Sequence, residues 1–89
     1  MRITRQTAAQ KLIDYLHHRI TLKELVDWAE WAMMEPEFEE KDAELLREVI
    51  GYLGLADVKA FGLTWEDFEN FLLRLGYQIK ILINPKVSF

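Results

Sequence analysis

The chain of 89 residues contains no cysteine, and it has only two prolines and four glycines. The absence of cysteine excludes disulfide bonds, thiolate catalysis, iron–sulfur clusters and cysteine-ligated zinc. Serine occurs once, at Ser88. The sequence also lacks the Gly-rich phosphate loop and the G-x-S-x-G and H-E-x-x-H patterns of common catalytic sites. We therefore expect a protein that is not an enzyme and needs no cofactor.

A metal site is not expected either. His17 and His18 are adjacent, so on a helix their side chains point about 100° apart, and only Asp14 lies at helical spacing from them. Two ligands of this kind do not make a metal site. The carboxylates of residues 39–44 lack the Asp-x-Asp-x-Asp-Gly pattern of a calcium loop.

Long apolar runs are missing as well. No run approaches the ~20 residues that a membrane-spanning helix needs. Residues 1–10 are polar and lack the apolar core of a signal peptide. The sequence therefore predicts a cytoplasmic protein without membrane contact.

The residues that are present indicate one small globular domain. Hydrophobic residues make up 51% of the chain and charged residues 29%, a balance typical of folded soluble domains. The length allows a single core. We predict a compact domain over residues 1–84 and a frayed tail over residues 85–89.

Charge is distributed unevenly along the chain, although the net charge is only −4. Residues 1–23 hold five bases and one acid, residues 24–48 hold ten acids and two bases, and residues 49–89 hold four of each. The acidic middle segment would attract a cationic partner. Alternatively, the acidic and basic segments neutralise each other within the fold or lie on solvated helix faces.

Apolar spacing predicts four helices and a mainly α (α+β) fold, packed as a small bundle with a short C-terminal β element. The predicted helices run from Arg5 to about His18, from Thr21 to about Met34, up to about Leu53, and from Trp65 to about Leu75. Residues 35–42 form either a loop or the first turn of the third helix, with Phe38 held to the core.

Local signals mark the helix ends. Thr4 is expected to cap the first helix. Thr21 with Glu24, and Thr64 with Asp67, have the spacing of a capping box, in which the side chain of each residue accepts a hydrogen bond from the backbone N–H of the other. Gly54 is expected to end the third helix in the left-handed conformation, which glycine tolerates. Gly76 is expected to end the fourth helix, whose apolar side is predicted to hold Trp65, Phe68, Phe71, Leu72 and Leu75.

Residues 77–83 alternate β-branched and polar side chains, which predicts a strand. A strand needs a hydrogen-bonding partner. The candidates are residues 1–4, residues 57–61, the same strand of a second copy, or another protein. Ile79 and Ile81 are therefore candidate partner-binding residues.

The second helix has aromatic residues on more than one side. At 100° per residue, Trp28 borders the apolar side, which holds Leu22, Leu25, Val26, Ala29, Ala32 and Met33. Trp31 falls opposite, near Met34 and among carboxylates. Tryptophan is the side chain most enriched at interface hot spots. Either another part of the chain covers Trp31, or a partner does.

These features favour a small, acidic, non-enzymatic binding protein that acts through protein–protein contacts. Inhibitors, immunity proteins, antitoxin-like proteins and adaptors work in this way, and self-association is a further option. The expected partner is a protein with a basic surface or a second copy of the chain. The candidate docking residues in and after the second helix are Asp27, Trp28, Glu30, Trp31, Met34, Glu35 and Glu37.

The alternative is a nucleic-acid-associated regulator that uses the basic N-terminal helix pair. Its candidate phosphate contacts are Arg2, Arg5, Lys11, Arg19 and Lys23. Glu24, Asp27 and Glu30 would repel phosphate from the second helix, where such a protein needs a basic recognition surface. Nucleic acid is therefore the less favoured partner.

Overall fold

The computed structural model describes residues 2–34, 37–58 and 62–80. Within these ranges the chain is mainly helical and has two short strands, which confirms the predicted fold class. In chain order the elements are β1 (Arg2–Ile3), α1 (Arg5–Leu16), α2 (Leu22–Met34), β2 (Glu37–Phe38), a 3-10 turn (Glu40–Asp42), α3 (Ala43–Leu53) and α4 (Trp65–Arg74).

The predicted helix starts are confirmed at α1, α2 and α4. The Thr4 hydroxyl accepts a hydrogen bond from the Thr7 backbone N–H at 3.2 Å. At α2, Glu24 N–H donates to the Thr21 hydroxyl and Thr21 N–H donates to the Glu24 carboxylate, at 3.1 and 2.9 Å. The reciprocal pair of Thr64 and Asp67 opens α4 in the same way. Each pair satisfies backbone N–H groups that the helix cannot use.

Two helix ends differ from expectation. Gly76 follows α4 with a φ of 97°, as a terminating glycine should. Gly54, in contrast, keeps a right-handed φ of −64°, so the left-handed prediction there is wrong. The reason is that the chain continues in right-handed turns, with Leu55 N–H donating to Tyr52 C=O. Instead, His18 after α1 takes a left-handed φ of 59°, and α1 ends two residues earlier than predicted.

The small sheet forms at the N-terminal side of the chain. β1 pairs in parallel with β2, with Arg2 opposite Glu37 and Ile3 opposite Phe38. Glu39 N–H extends the ladder by donating to Ile3 C=O at 2.9 Å. Residues 1–4 were a predicted pairing partner of the strand at residues 77–83, but β1 pairs with β2 of the acidic segment instead.

The predicted strand at residues 77–83 is not observed in the part that the structure describes. Residues 77–80 belong to no strand, and residues 81–83 lie outside the described ranges. Tyr77 N–H folds back to Leu72 C=O at 2.8 Å, which directs this segment against α4. Residues 57–58, the start of the other predicted partner, lie in a turn.

The core lies between all four helices and β1. α2 and α3 make the most extensive contact, and α1 packs on both α2 and α4. Tyr15 of α1 stacks on Phe68 of α4 with ring centroids 5.4 Å apart. The largest fully buried side chains are Ile3, Leu12, Leu25, Val26, Leu46, Val49, Ile50, Leu53 and Leu75. In the described ranges no polar or charged residue is buried.

Candidate functional site

One side of α2 faces the solvent with a mixed acidic and apolar surface. Asp27, Glu30, Trp31 and Met34 have the i, i+3, i+4, i+7 spacing that aligns side chains along a helix. The opposite side of α2 is buried through Leu25, Val26, Ala29 and Ala32. We call the row of Asp27, Glu30, Trp31 and Met34 the α2 face.

The two tryptophans of α2 have different environments. Trp28 is half-buried against the core, and the Lys11 ammonium lies 5.7 Å from its ring centroid, which is cation–π geometry. Trp31 is 40% exposed and Met34 is 78% exposed. The described part of the acidic segment, residues 37–42, therefore does not bury Trp31.

The α2 face carries negative charge that is only partly compensated. Lys23 Nζ lies 2.8 Å from Asp27 Oδ2. The hydrogen bond to Asp27, together with the charge of that carboxylate, raises the pKa of Lys23 above its ordinary value. Both side chains are largely exposed, so this ion pair contributes little to stability. Glu30 has no ion-pair partner among the described residues.

Close packing of α3 fixes the position of the α2 face. A Cβ atom added to Gly54 would lie 3.8 Å from Glu30 Cγ, and one added to Gly51 would lie 3.9 Å from Met33 Cε. The two glycines therefore line the side of α3 that approaches α2. As a result, Glu30 and Met33 border α3, while Trp31 is exposed to the solvent.

A groove of about 450 Å³ lies at the C-terminal end of α2. Its apolar part contains Met33, which is 43% exposed, and the half-buried Phe38. The Arg47 guanidinium lies 5.8 Å from the Phe38 ring centroid. We call this the methionine groove; it is lined by Arg2, Met33, Glu37, Phe38, Glu40, Ala43 and Arg47.

The structure brings only some of the predicted docking residues together. Asp27, Glu30, Trp31 and Met34 share the α2 face, whereas Trp28 faces the core. Glu37 is exposed on β2 and lines the methionine groove.

The two isoleucines predicted at a strand edge lie elsewhere. Ile79 is half-buried against the core, and residues 77–80 around it belong to no strand. Glu35 and Ile81 lie outside the described residues.

Three exposed side chains differ from the sequence-based expectation: two were predicted on buried helix sides and one was overlooked. Met33 and Trp65 were placed on apolar helix sides, but Met33 lines a groove and Trp65 is 46% exposed. Leu73 is 58% exposed and was not singled out. Its exposure was predictable from its spacing to the acidic residues Glu66 and Glu69. Residues seven and four positions apart share one side of a helix, so Leu73 lies on the acidic side of α4.

Four of the five N-terminal bases that the nucleic-acid alternative needs contact other side chains. Arg5 lies 3.2 Å from Asp42, and Arg19 lies 3.2 Å from Asp14. Lys11 and Lys23 contact Trp28 and Asp27 as described above. The Arg5 and Lys23 pairs join the basic segment to the acidic one, so part of the opposite charge is neutralised inside the fold.

The described residues contain no cluster of three or more histidine, aspartate or glutamate side chains that could hold a metal ion. The helices in these ranges are too short and too polar to cross a membrane. Comparison with protein-family models, with curated proteins and with solved structures finds no match to this chain. The α2 face and the methionine groove are thus the features from which a function is inferred.

Proposed function

We propose that the protein is a small, non-enzymatic binding protein that docks its α2 face onto a partner protein with a basic and partly apolar surface. The observation that carries this proposal is the exposed pair of Trp31 and Met34, one helical turn apart and flanked by Asp27 and Glu30. Burying these two apolar side chains against a partner removes them from water, which favours association.

Each part of the α2 face has a separate role in this proposal. The Trp31 indole offers a flat surface to a lysine or arginine stem and its charge. The unbranched Met34 side chain adapts to the shape of the partner. Asp27 and Glu30 attract a cationic partner and speed its approach. An inhibitor, immunity, antitoxin-like or adaptor protein would use such a surface.

The methionine groove adds contact area to the proposed docking surface. A tryptophan buries at most ~250 Å², whereas a stable complex buries about 800 Å² on each partner. The α2 face alone is therefore too small. In this proposal the groove at the end of α2 adds Met33 and Phe38 as further apolar contacts for the partner.

A basic partner is favoured over a second copy of the chain. Two α2 faces brought together would place Asp27 and Glu30 of one copy near the same carboxylates of the other, which is repulsive. The absence of cysteine suits a reducing compartment, so the proposal includes a cytoplasmic location.

The proposal is tested by binding of a synthetic amphipathic peptide of lysine and leucine, measured by isothermal titration calorimetry. We expect Trp31→Ala and Glu30→Lys to weaken binding about tenfold each, which corresponds to about 1.4 kcal/mol. Glu44→Lys is the matched control, because it makes the same charge change at an exposed position on α3. Equal weakening by Glu44→Lys would show unspecific attraction and overturn the proposal.

A second experiment separates this function from nucleic-acid binding. Charge reversal of Glu30, Glu35 and Glu37 should impair peptide binding, whereas reversal of Arg5, Lys11 and Arg19 should leave it largely intact. The unmodified protein should not shift a DNA duplex in a gel at low salt, where phosphate contacts are strongest. A shift that disappears when Arg5, Lys11 and Arg19 are reversed would favour the nucleic-acid alternative.

A further inference from the structure

The outward side of α4 repeats the chemistry of the α2 face on a different helix. Trp65 and Leu73 are 46% and 58% exposed, and the exposed Glu69 lies between them at i+4 spacing. Glu66 is exposed one turn before Glu69, on the same side. We call Trp65, Glu66, Glu69 and Leu73 the α4 face.

The carboxylates of the α4 face pair with no base in the part of the chain that the structure describes. Arg74, the base nearest to Glu69 in sequence, is bound by Glu48 of α3 at 3.0 and 2.6 Å. Asp67 is used internally, as the acceptor for the Thr64 N–H. Glu66 and Glu69 therefore contribute two negative charges to the α4 face that no base of the described ranges compensates.

The two faces belong to helices that pack on different parts of α1. Lys11 of α1 contacts Trp28 of α2, and Tyr15, one turn later, stacks on Phe68 of α4. The contacting residues Trp28 and Phe68 lie on the inner sides of their helices, so the outer sides of both helices stay exposed. The α2 face and the α4 face therefore belong to separate helices that contact α1 at different residues.

We propose that the α4 face is a second docking surface for a cationic amphipathic segment of a partner protein, so that one molecule binds two such segments at once. Charge complementarity supports this occupant, because Glu66 and Glu69 lie between the exposed apolar side chains of Trp65 and Leu73. Two sites would allow the protein to bridge two partners, or to bind one bivalent partner more tightly than either site alone. The proposal takes the ligand class from the proposed function but depends on different residues.

Single-tryptophan variants test the two faces separately. Trp28→Phe with Trp65→Phe leaves Trp31 as the only fluorophore, and Trp28→Phe with Trp31→Phe leaves Trp65. Each variant is titrated with the tryptophan-free lysine–leucine peptide, and its emission is followed. We expect both variants to respond, the response to fall with added salt, and a glutamate–leucine peptide to give none. Calorimetry of the unmodified protein should give two peptides per molecule.

Glu66→Gln with Glu69→Gln provides a test that keeps every tryptophan in place. This variant should bind about one peptide instead of two, while the Trp31 reporter carrying the same two changes keeps its response. Both positions are exposed, so we expect the two substitutions to change the free energy of unfolding only slightly.

The outcomes distinguish this inference from the proposed function. If peptide changes the emission of Trp31 but not of Trp65, and one peptide binds per molecule, the proposed α4 docking surface is wrong and the α2 proposal stands. A responding Trp65 with a silent Trp31 supports the α4 face and overturns the α2 proposal. Silence of both reporters overturns both proposals.

Discussion

The ammonium of Lys11 lies 5.7 Å from the ring centroid of Trp28, and this contact between α1 and α2 distinguishes two tryptophans that are three residues apart. Trp28 has a cation from its own chain and is half-buried against the core. Trp31, one turn later, is exposed among carboxylates. We infer that Trp28 stabilises the fold and that Trp31 serves binding.

These different roles predict that removing each indole lowers the free energy of unfolding by a different amount. Trp28→Ala should lower the free energy of unfolding by about 2–3 kcal/mol, because it opens a cavity at the α1–α2 contact. Trp31→Ala should change it by less than about 1 kcal/mol, as is typical of exposed positions. Urea denaturation followed by circular dichroism measures both. Equal destabilisation by the two variants would mean that Trp31 belongs to the core.

Gly76 is predicted to resist substitution by alanine. Its φ of 97° is unfavourable for any residue with a Cβ, and the new Cβ would lie 3.2 Å from Arg5 Nη1. Gly76→Ala should therefore cost about 1–2 kcal/mol in thermal or urea unfolding. Gly62→Ala is the matched control, since no atom lies within 4 Å of its added Cβ. A Gly76→Ala protein as stable as the control would contradict the left-handed turn after α4.

Gly54 should behave in the opposite way, although the sequence predicts a left-handed glycine there. Its backbone is right-handed, and an added Cβ would make an ordinary contact with Glu30 Cγ at 3.8 Å. Gly54→Ala should raise the free energy of unfolding by about 0.4–1 kcal/mol, because alanine restricts the unfolded chain. Strong destabilisation, comparable to that of Gly76→Ala, would show that α3 ends as the sequence first indicated.

The ion pair between Glu48 and Arg74 should make stability depend on acid pH. The hydrogen bond and charge of Arg74 lower the pKa of Glu48 below its ordinary value. The pair therefore stabilises the fold above the unfolded-state pKa of about 4.3, and this stabilisation is lost as the pH falls through the lower folded-state value.

Unfolding free energies measured from pH 6 down to about pH 3 test this prediction. Glu48→Gln should make the decline in stability shallower over this interval. Glu44→Gln is the control, because Glu44 pairs with no base in the described part of the chain. Identical slopes for Glu48→Gln and the unmodified protein would refute a contribution from this pair.

The features predicted correctly are those that short segments determine by themselves. The pairs Thr21–Glu24 and Thr64–Asp67 act across three residues, so their spacing alone predicts the helix starts. Helical periodicity likewise places Trp31 opposite Val26 and Ala29 of the buried side. The α2 face could therefore be found without a structure.

The features that the sequence did not reveal depend on contacts between distant segments. The pairing of Ile3 with Phe38 joins two-residue strands that are too short for any alternating pattern. The methionine groove arises where β2 meets α2 and α3, which the spacing of Met33 within α2 does not show. Trp65, the first residue of α4, lies at the edge of the apolar stripe, where periodicity does not decide burial.

The central claim is that Trp31 is presented to the solvent in an acidic setting. It is tested most directly by ionic quenching of fluorescence in the variant that keeps Trp31 alone. Each ion's quenching of Trp31 is divided by its quenching of free N-acetyltryptophanamide, because iodide is intrinsically the more efficient quencher. We predict a larger normalised value for caesium than for iodide, because Asp27 and Glu30 attract the cation and repel the anion. Asp27→Asn with Glu30→Gln should reduce this difference. An indole that neither ion quenches, or a larger normalised value for iodide, would contradict the claim.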